Sequence, residues 1–426
     1  MKNLVEELRW RGLVQDIMPG TEEQLIKEMT TGYVGFDPTA DSLHIGNLVP
    51  VMLLTHLQRF GHKPIALVGG ATGLVGDPSG KTAERTMLDK EVIQHNLASQ
   101  KKQLERFLDF SDSIENSAEV VNNFDWFGEI GFLEFIRDVG KHISINYMMA
   151  KDSVQTRLET GLSFTEFSYQ LIQGYDFYWL WKNKNVALQM GGSDQWGNIT
   201  TGTELIRRKG SGEAFALTAP LLKKSDGSKF GKSEGGNIWL DKTKTSPYKF
   251  YQYWLNTSDE DAGKFMRIFT FKSKDEIEQL EKEHSEDPGR RILQKELAKD
   301  VTVMVHSEED YETALAASQI LFGKSTEEDL RKIGEDDFLS IFEGVDQADI
   351  SKESLESGLG IIDALASESG FLKSNGEARR ALKENSISVN KSKVDEDKVI
   401  TPKDLVNGRY ILLQRGKKKY FILSVK

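Results

Sequence analysis

Short apolar runs alternate with amphipathic segments along the first half of the chain. The apolar runs predict buried β-strands over residues 33–36, 64–70, 186–190 and 214–222. Apolar positions at helical spacing predict helices over 48–60, 91–110, 164–176 and 199–208. This alternation favours an α/β fold with a parallel sheet that binds its ligands at the carboxyl ends of the strands.

The pattern changes after residue 247. Residues 248–322 are charged and helical in period, and 323–356 hold 11 acidic and 4 basic residues with several Gly and Ser. The last segment contains a capping box at 374–377, a short basic helix at 378–383, and strands at 387–390, 410–413 and 420–422. A basic helix beside a small sheet with a basic hairpin tip is typical of RNA-binding modules.

Composition is that of a globular protein of two or three domains. The chain has 426 residues, of which 38% are hydrophobic and 28% charged. No run approaches the roughly 18 apolar residues of a membrane span, and residues 1–18 lack the apolar core of a secretion signal. The absence of Cys excludes disulfides and thiolate chemistry, and the seven His lack metal-ligand spacing. We therefore expect a cytoplasmic protein that has no metal site of its own and does not bind membranes.

Charge is distributed unevenly within the total of −11. Residues 357–426 carry 14 Lys and Arg against 8 Asp and Glu, a balance of +6, whereas the first 356 residues carry −17. A basic module on an acidic body suggests a polyanionic partner held by that module. A solvated charged face is the alternative.

The stretch 33–47 runs from a strand through an Asp-Pro turn into a helix. Gly46 lies in the first turn of this helix, where a ligand can approach the backbone closely. Free N–H groups and the positive dipole end of a helix suit a phosphate, and Thr39, His44 and Asn47 surround that position. The alternative is an ordinary strand-to-helix turn with a surface His.

Two further loops carry cations and glycines. Residues 69–82 end in Gly-Lys-Thr but have Val75 where a phosphate-binding P-loop needs Gly, so we reject that assignment. Lys81 and Arg85 can still meet phosphate. The loop 223–233 contains Lys229 and Lys232 and two Gly, and could close on developing negative charge or be a basic surface hairpin.

Two helical stretches suggest a pocket and an interface. After a capping box formed by Ser163 and Glu166, the residues Tyr169, Gln173 and Asp176 fall on one helix face, which suits a pocket for a small zwitterion. Residues 132–150 are rich in Phe, Ile and Met and form either core or a dimer interface.

Several separated motifs together resemble a known family. His44-Ile45-Gly46-Asn47 resembles the His-Ile-Gly-His signature of class I aminoacyl-tRNA synthetases, and Lys229-Phe230-Gly231-Lys232-Ser233 resembles their Lys-Met-Ser-Lys-Ser loop. Four further stretches, 33–39, 69–77, 169–176 and 191–196, resemble the bacterial tyrosyl-tRNA synthetases. The C-terminal segment resembles an RNA-binding domain first described in a small-subunit ribosomal protein. The resemblance covers essentially the whole chain.

The resemblance implies a domain plan. It consists of a Rossmann-type catalytic domain over 1–246 with a connective insertion near 110–160, a helical anticodon-side domain over 247–322, an acidic linker over 323–356, and an RNA-binding module over 357–426. It also implies a homodimer.

The resemblance further implies a two-step reaction. Tyrosine carboxylate attacks the α-phosphorus of ATP, which enters with Mg²⁺, and tyrosine then passes to the terminal adenosine of tRNA(Tyr). The residue roles that the resemblance implies fall into four groups: Thr39, His44, Lys229 and Lys232 for catalysis; Gly46, Asn47, Lys81, Arg85, Gly192, Asp194 and Lys232 for ATP; Tyr33, Asp77, Tyr169, Gln173, Asp176 and Gln195 for tyrosine; and Arg379, Arg380, Lys383, Arg415, Lys417 and Lys418 for RNA.

Two positions depart from the class pattern. Asn47 stands where the signature has its second His, and it keeps a donor at neutral pH without titrating, so a hydrogen-bonding role is preserved but a charged one is not. Phe230-Gly231 replaces Met-Ser between the two lysines. The alternatives are a tryptophanyl enzyme, disfavoured by Tyr33, Asp176 and the basic module, and a non-catalytic RNA-binding relative, disfavoured by His44 and the lysine loop.

Overall fold

The computed structural model describes residues 2–77, 89–158, 161–228, 230–233, 236–322, 326–342, 345–416 and 419–426, without side chains at 90, 153, 157–158, 232–233 and 320–322. Lys81, Arg85, Lys229, Lys417 and Lys418 lie outside these ranges. The chain divides into two compact units. The first consists of Met1–Lys244 with Asn256–Val305, and the second of Thr245–Leu255 with His306–Lys426.

In the described part of the first unit, six strands form one sheet. They are β1 (Asp16–Ile17), β2 (Thr31–Phe36), β3 (Lys63–Val68), β4 (Glu119–Asn122), β5 (Val186–Gly192) and β6 (Phe215–Ala219). The order is β1-β6-β5-β2-β3-β4, and all neighbouring pairs are parallel except β1 with β6. Chain order reverses between β2 and β5, and ligands bind in the crevice at such a point. The predicted α/β class with a parallel sheet is confirmed.

Helices cover the sheet and build most of the remainder of the chain. In chain order they are α1 (Leu4–Arg11), α2 (Thr21–Lys27), α3 (Leu48–Arg59), α4 (Thr72–Val75), α5 (Lys90–Leu104), α6 (Phe124–Phe127), α7 (Phe132–Asp138), α8 (Ile145–Met149), α9 (Asp152–Leu158), α10 (Phe164–Lys184), α11 (Trp196–Leu205), α12 (Pro247–Leu255), α13 (Asp259–Phe269), α14 (Lys274–Glu286), α15 (Ile292–Val305), α16 (Glu308–Phe322), α17 (Glu327–Arg331), α18 (Glu335–Ile341), α19 (Lys352–Glu356), α20 (Ile361–Leu365) and α21 (Asn375–Lys383). None of the described helices is long and apolar enough to cross a membrane.

The helix α10 forms where its capping box predicts. The Ser163 hydroxyl accepts from the amide of Glu166 at 3.2 Å, and the Glu166 carboxylate accepts from the amide of Ser163 at 3.3 Å. These bonds satisfy N–H groups that have no partner within the helix. The helix ends at Asn185, which adopts a left-handed conformation with φ of 54°. The predicted Tyr-Gln-Asp face therefore sits on one continuous helix.

Residues 132–150 divide between core and surface. Val139, Ile143 and Met148 are buried with the aromatic side chains of α10 and its neighbours. In contrast, Phe132 and Leu133 are 68% and 80% exposed. The buried residues of this stretch fit the interpretation as core, and the exposed ones fit the interpretation as a dimer interface.

The remaining described strands form a hairpin in the first unit, and a five-stranded sheet and a separate antiparallel pair in the second. They are β7 (Lys232–Ser233), β8 (Gly236–Asn237), β9 (Gln347–Ile350), β10 (Leu359–Gly360), β11 (Ile387–Val389), β12 (Ser392–Lys393), β13 (Val399–Ile400), β14 (Tyr410–Arg415) and β15 (Lys419–Val425). The described part of the second unit has a five-stranded sheet in the order β12-β11-β14-β15-β9, with α20 and α21 packed on its core. The antiparallel pair consists of β10 and β13.

The structure divides the chain differently from the predicted boundaries. Residues 323–356, expected to be a partly structured acidic linker, contain α17, α18, β9 and α19, and β9 pairs in parallel with β15. Scattered apolar residues such as Phe338 and Ile350 are buried between the acidic ones, which allows this segment to fold.

The helical stretch 247–322 is also divided between the units. Its first helix, α12, belongs to the second unit, because α12 packs on α16 through Tyr251 and Tyr311.

Candidate active site

A cavity of about 470 Å³ lies at the carboxyl ends of β2 and β5, where chain order in the sheet reverses. Ten residues assigned from sequence line it: Tyr33, Gly46, Asn47, Asp77, Tyr169, Gln173, Asp176, Gly192, Asp194 and Gln195. The volume suits a small organic ligand. The residues implied for tyrosine and those implied for the ribose therefore share one site.

Tyr33 forms part of the buried wall of this cavity. Its side chain is 1% exposed, and its ring meets that of Phe177 edge-on, with 5.4 Å between the ring centroids. The hydroxyl has no hydrogen-bond partner among the described residues. Burial, and then the negative charge of Asp176, raises the pKa of Tyr33 well above its usual value. An unpaired buried hydroxyl on a cavity wall is a group prepared to bond a ligand.

Asp176 is held in place by two donors. The indole Nε1 of Trp126 donates to Oδ1 at 2.8 Å, and the amide Nδ2 of Asn123 donates to Oδ2 at 3.0 Å. Burial raises the pKa of Asp176 to about 8, although both hydrogen bonds oppose that rise. Each oxygen keeps a lone pair with which to accept from a ligand. Asn123 and Trp126 are not among the residues assigned from the sequence, where their only signal is the polar and aromatic character of residues 122–127.

Side-chain amides form a connected network around the cavity. The Nε2 of Gln195 donates to Asp77 at 2.7 Å. The Nδ2 of Asn198 donates to Oε1 of Gln173 at 3.0 Å and to Oε1 of Gln195 at 3.3 Å. Amide groups fixed in this way keep one orientation, which a specific polar ligand requires. Asn198 was not assigned from sequence, and its spacing of three from Gln195 was the available signal.

Close packing of α10 on α11 brings the two halves of this network together. A β-carbon on Gly202 would lie 2.8 Å from Cβ of Phe177, and one on Gly174 would lie 3.2 Å from Cγ2 of Thr201. Glycine at both positions lets the helices approach closely. Gln173 on α10 can therefore contact Asn198 on α11.

Carboxylates make the cavity a site for a cation. The hydroxyl of Tyr169 is 3.5 Å from Oδ1 of Asp37, at the outer limit of a hydrogen bond, and Asp37 lines the same cavity as Asp77. Burial, and then the charge of Asp77, raises the pKa of Asp194. Acidic groups that line one cavity suit an ammonium ion. Asp37 lies within the stretch 33–47 but is not among the residues assigned from the sequence.

The His-Ile-Gly-Asn stretch forms a short 3₁₀ turn that leads into α3. The side-chain oxygen of Asn47 accepts from the amide of His44 at 3.0 Å. The amide nitrogen of Asn47 is therefore the part of that side chain left to donate to a ligand in the cavity. A β-carbon on Gly46 would lie 2.8 Å from the His44 ring, so any larger residue there would displace the ring from this position. Thr39 and His44 are not among the cavity-lining residues of the described structure.

The second motif adjoins the first. The amide of Ile45 donates to the carbonyl of Ile238 at 2.9 Å, and the amide of Leu240 donates to the carbonyl of Leu43 at 2.8 Å. Phe230 also lines the cavity. The backbone of Lys232 lies in β7, while its side chain and the whole of Lys229 fall outside the description.

The basic residues of the second unit come together in part. Arg379, Arg380 and Lys383 are exposed on α21, and Arg415, on β14, pairs with Glu377 of α21 at 2.6 Å. This ion pair holds the end of the β14–β15 hairpin beside the basic helix. The RNA-binding assignment of these residues stays a prediction, and Lys417 and Lys418 lie outside the described residues.

Two family models match the chain. Residues 27–323 match the model described as tRNA synthetases class I (W and Y), and residues 337–423 match the model of the tyrosine–tRNA ligase SYY-like C-terminal domain.

Individual relatives agree with these matches. The chain is 61% identical to a Flavobacterium johnsoniae protein and 60% identical to one from Bacteroides thetaiotaomicron, both named tyrosine–tRNA ligase, with 100% of each chain covered. Among solved structures, a C-terminally truncated mitochondrial tyrosyl-tRNA synthetase from Aspergillus nidulans superposes with a TM-score of 0.67 at 30% identity. That match covers 76% of this chain and 95% of the other.

Proposed function

The chain belongs to the tyrosyl-tRNA synthetases within the class I tRNA synthetases, and on that premise we propose which residues carry each part of the reaction. The activity is that of a tyrosine–tRNA ligase, which activates L-tyrosine with ATP and transfers it to tRNA(Tyr). The observation that carries the residue assignment is the unpaired Tyr33 hydroxyl, on the buried wall of the cavity that Asp176 also lines.

We assign the phenol of the substrate to Tyr33 and Asp176. The substrate hydroxyl would donate to the Asp176 carboxylate and accept from the Tyr33 hydroxyl, which gives Tyr33 its partner and Asp176 a third one beside Trp126 and Asn123. Phenylalanine would leave the Tyr33 hydroxyl unpaired in a water-poor site, and an unmade buried hydrogen bond costs more than a made one contributes. Selection for tyrosine therefore follows from the unpaired Tyr33 hydroxyl and from the acceptor capacity of Asp176 that phenylalanine leaves unused.

The zwitterionic end of tyrosine has its own partners. Asp77, Tyr169 and Gln173 would hold the ammonium group, and the amide of Gln195 would orient the carboxylate. The amide network supports this assignment, because Asn198 fixes the two glutamine oxygens and leaves their positions defined before tyrosine binds. A carboxylate held in one orientation reacts without first losing rotational freedom.

ATP binds, in this proposal, where the two motifs adjoin. Asn47, Gly192 and Asp194 would hold the ribose, and the backbone of Gly46 would lie against the nucleotide. Thr39, His44, Lys81, Arg85, Lys229 and Lys232 are assigned to the phosphates, with Thr39 and His44 meeting the terminal phosphate chiefly in the transition state. Because the Asn47 oxygen is bonded to the His44 amide, Asn47 would act on the ribose as a neutral donor.

Activation of tyrosine needs no general base, because a carboxylate is already a nucleophile at neutral pH. The barrier lies in bringing two anions together and in the charge that builds on the phosphates. Lysine and histidine donors would stabilise that charge, and the amide network would position the attacking carboxylate. Among the described residues there is no cluster of three or more His, Asp or Glu that could hold a metal, and Mg²⁺ would enter as the ATP complex.

The remaining assignments concern partners. The exposed basic face of α21 and the β14–β15 hairpin would bind tRNA(Tyr). The enzyme would act in the cytoplasm, where tRNA is charged for translation.

We propose a homodimer formed through α7, because Phe135 packs inward on Tyr175 while Phe132 and Leu133 point to solvent. Exposed apolar patches of this kind mark interaction surfaces.

ATP–pyrophosphate exchange across the twenty amino acids tests the assignment of the pocket. We expect exchange with tyrosine, far weaker exchange with phenylalanine, and none with tryptophan. Exchange driven by tryptophan, or equal exchange with phenylalanine, would contradict the roles given to Tyr33 and Asp176. Tyr33→Phe and Asp176→Asn variants, assayed alongside, connect the outcome to these two residues.

A further inference from the structure

The loop 223–233, which we call the lysine loop, is attached to α13 at its first turn. Both carboxylate oxygens of Asp261 accept from the amide of Ser225, at 3.1 and 3.0 Å, and Oδ2 accepts from the Ser225 hydroxyl at 3.0 Å. Asp261 is only 5% exposed. The ammonium group of Lys264 also donates to the carbonyl of Lys223 at 3.2 Å.

The attached part of the loop is itself a tight turn. The amide of Gly227 donates to the carbonyl of Lys224 at 2.9 Å, and the amide of Lys224 donates to the carbonyl of Ser228 at 3.1 Å. Gly227 has φ of +79°, a conformation that glycine adopts without strain. Asp261 therefore binds Ser225, which is the second residue of a preformed turn, and not a residue in a flexible segment.

The far end of the loop is attached to the same helix. The ring of Phe230 stacks on Phe269 with 5.2 Å between centroids and 10° between planes, and it meets Phe265 at 5.0 Å. Phe265 and Phe269 are buried on one face of α13, one turn apart. The position where the class pattern has Met thus carries a larger ring that packs on this helix.

We propose that α13 fixes the position of the lysine loop and that Asp261 and Phe230 are positioning residues for tyrosine activation. The proposal rests on the assignment of Lys229 and Lys232 to the phosphates. Lysine has a long side chain with high conformational freedom, and a loop rich in Gly and Ser has more. A positively charged side chain stabilises the negative charge of a transition state effectively only when its position is fixed before the reaction. Attachment at Ser225 and at Phe230, on either side of Lys229, supplies that restraint.

The test compares two pairs of variants in tyrosine-dependent ATP–pyrophosphate exchange on the full-length enzyme. Asp261→Ala should lower kcat at least tenfold while KM for tyrosine stays within twofold, and Asp261→Asn should recover part of the loss because it keeps one acceptor. Glu260→Ala, an exposed change in the same helical turn, is the matched control and should behave as the wild type. Phe230→Ala should likewise lower kcat, and Phe230→Met should restore most of it.

A second measurement separates positioning from folding, since the Asp261 carboxylate also accepts from the Ser258 hydroxyl at 3.1 Å in the cap of α13. Ser225→Ala keeps the two bonds from its own backbone amide to Asp261 and loses the bonds of the hydroxyl, so kcat should fall by less than in Asp261→Ala. Combined with Asp261→Ala it should add little further loss, because Asp261→Ala already removes every bond between Ser225 and the Asp261 carboxylate. Equal falls in kcat and in tyrosine affinity would overturn the proposal, as would wild-type kcat in both Asp261→Ala and Phe230→Ala. If Lys232→Ala itself leaves kcat unchanged, the phosphate assignment fails instead.

Discussion

Gly231 lies against the backbone of Gly46, so closely that a β-carbon on Gly231 would be 3.2 Å from the Gly46 nitrogen. One glycine belongs to the His-Ile-Gly-Asn turn and the other to the lysine loop. Two backbone hydrogen bonds, from Ile45 to Ile238 and from Leu240 to Leu43, join this turn and the residue before it to the segment that follows the lysine loop. The motifs that resemble the class I signatures are therefore parts of one contact surface beside the cavity.

We expect Gly231→Ala to reduce tyrosine activation by one to two orders of magnitude. The φ of +91° at Gly231 strains any other residue, by about 1–3 kcal/mol in general, and the new methyl would also press on Gly46. Gly227→Ala is the control, because Gly227 has φ of +79° but no atom within 4 Å of the added carbon. Equal exchange rates for the two variants would show that strain, and not the contact with Gly46, is responsible.

Tyrosine binding should release a proton from Asp176 near neutral pH. With a pKa of about 8, the carboxyl is mostly protonated in the free enzyme at pH 7, whereas a phenol that donates to it favours the carboxylate. Binding should thus release close to one proton at pH 7, and tyrosine affinity should rise from about pH 6 to about pH 8 and then level off. Calorimetry in buffers of different ionisation enthalpy measures this release.

Asp176→Asn serves as the control for that experiment. An amide cannot titrate, so the variant should bind tyrosine without proton release from this position and without the associated rise in affinity. Proton uptake by the wild type, or the same release from both proteins, would mean that Asp176 does not accept from the phenol as a carboxylate.

Tyr33→Phe should reduce discrimination between tyrosine and phenylalanine. The change removes the one hydroxyl of Tyr33 and keeps the ring packed on Phe177, so the cavity wall retains its shape. A neutral hydrogen bond contributes about 0.5–1.5 kcal/mol net, which corresponds to a loss of up to roughly tenfold in kcat/KM for tyrosine. The value for phenylalanine should stay level or rise. A fall of the same size for both amino acids would indicate disturbed packing instead.

Leu133→Glu should convert a dimer to a monomer. Leu133 is 80% exposed on α7 beside Phe132, and a buried charge at a subunit interface is costly. Analytical ultracentrifugation of the wild type and the variant gives the mass directly. Ile26→Glu is the matched control, because it places the same charge at an apolar residue of α2 that is 43% exposed. This variant should have the same mass as the wild type. A dimer that persists in Leu133→Glu would exclude this face.

Replacing both Arg379 and Arg380 by Ala should weaken tRNA binding and spare activation. Both side chains are exposed on α21, so the change removes charge and little packing. For each phosphate that the variant no longer neutralises, the log–log slope of affinity against salt should become shallower by about 0.7–1. The double change Lys282→Ala with Lys295→Ala, also exposed, controls for net charge. Unchanged KM for tRNA in aminoacylation would remove α21 from the RNA-binding surface.

Local structure was predictable where it depends on neighbouring residues. The capping box of Ser163 and Glu166 starts α10 at the predicted residue, and the spacing of Tyr169, Gln173 and Asp176 places all three on the cavity wall. The alternation of strands and helices likewise indicated the parallel sheet and the edge at which ligands bind. These features follow from periods of two and of 3.6 residues, which a sequence displays directly.

Partners distant in the chain were not predictable in this way. Asn123 and Trp126 bond Asp176, and Asp261 bonds Ser225, yet no local pattern connects these pairs. Residues 323–356 were expected to be a partly structured linker because acidic residues dominate their composition and Gly and Ser are frequent. Their fold depends on β9 pairing with β15, some seventy residues later in the chain.

The sequence alone thus determined the fold class, the start of the capped helix α10 and many of the residue types that line the cavity. Tertiary structure decided which atoms of those residues are already engaged: the Asn47 oxygen on the His44 amide, the Asp176 oxygens on Asn123 and Trp126, and the Tyr33 hydroxyl on none of the described residues. The physical reason is that helix and strand formation depends on neighbours along the chain. Burial and hydrogen-bond satisfaction depend on packing between elements that the chain order does not display.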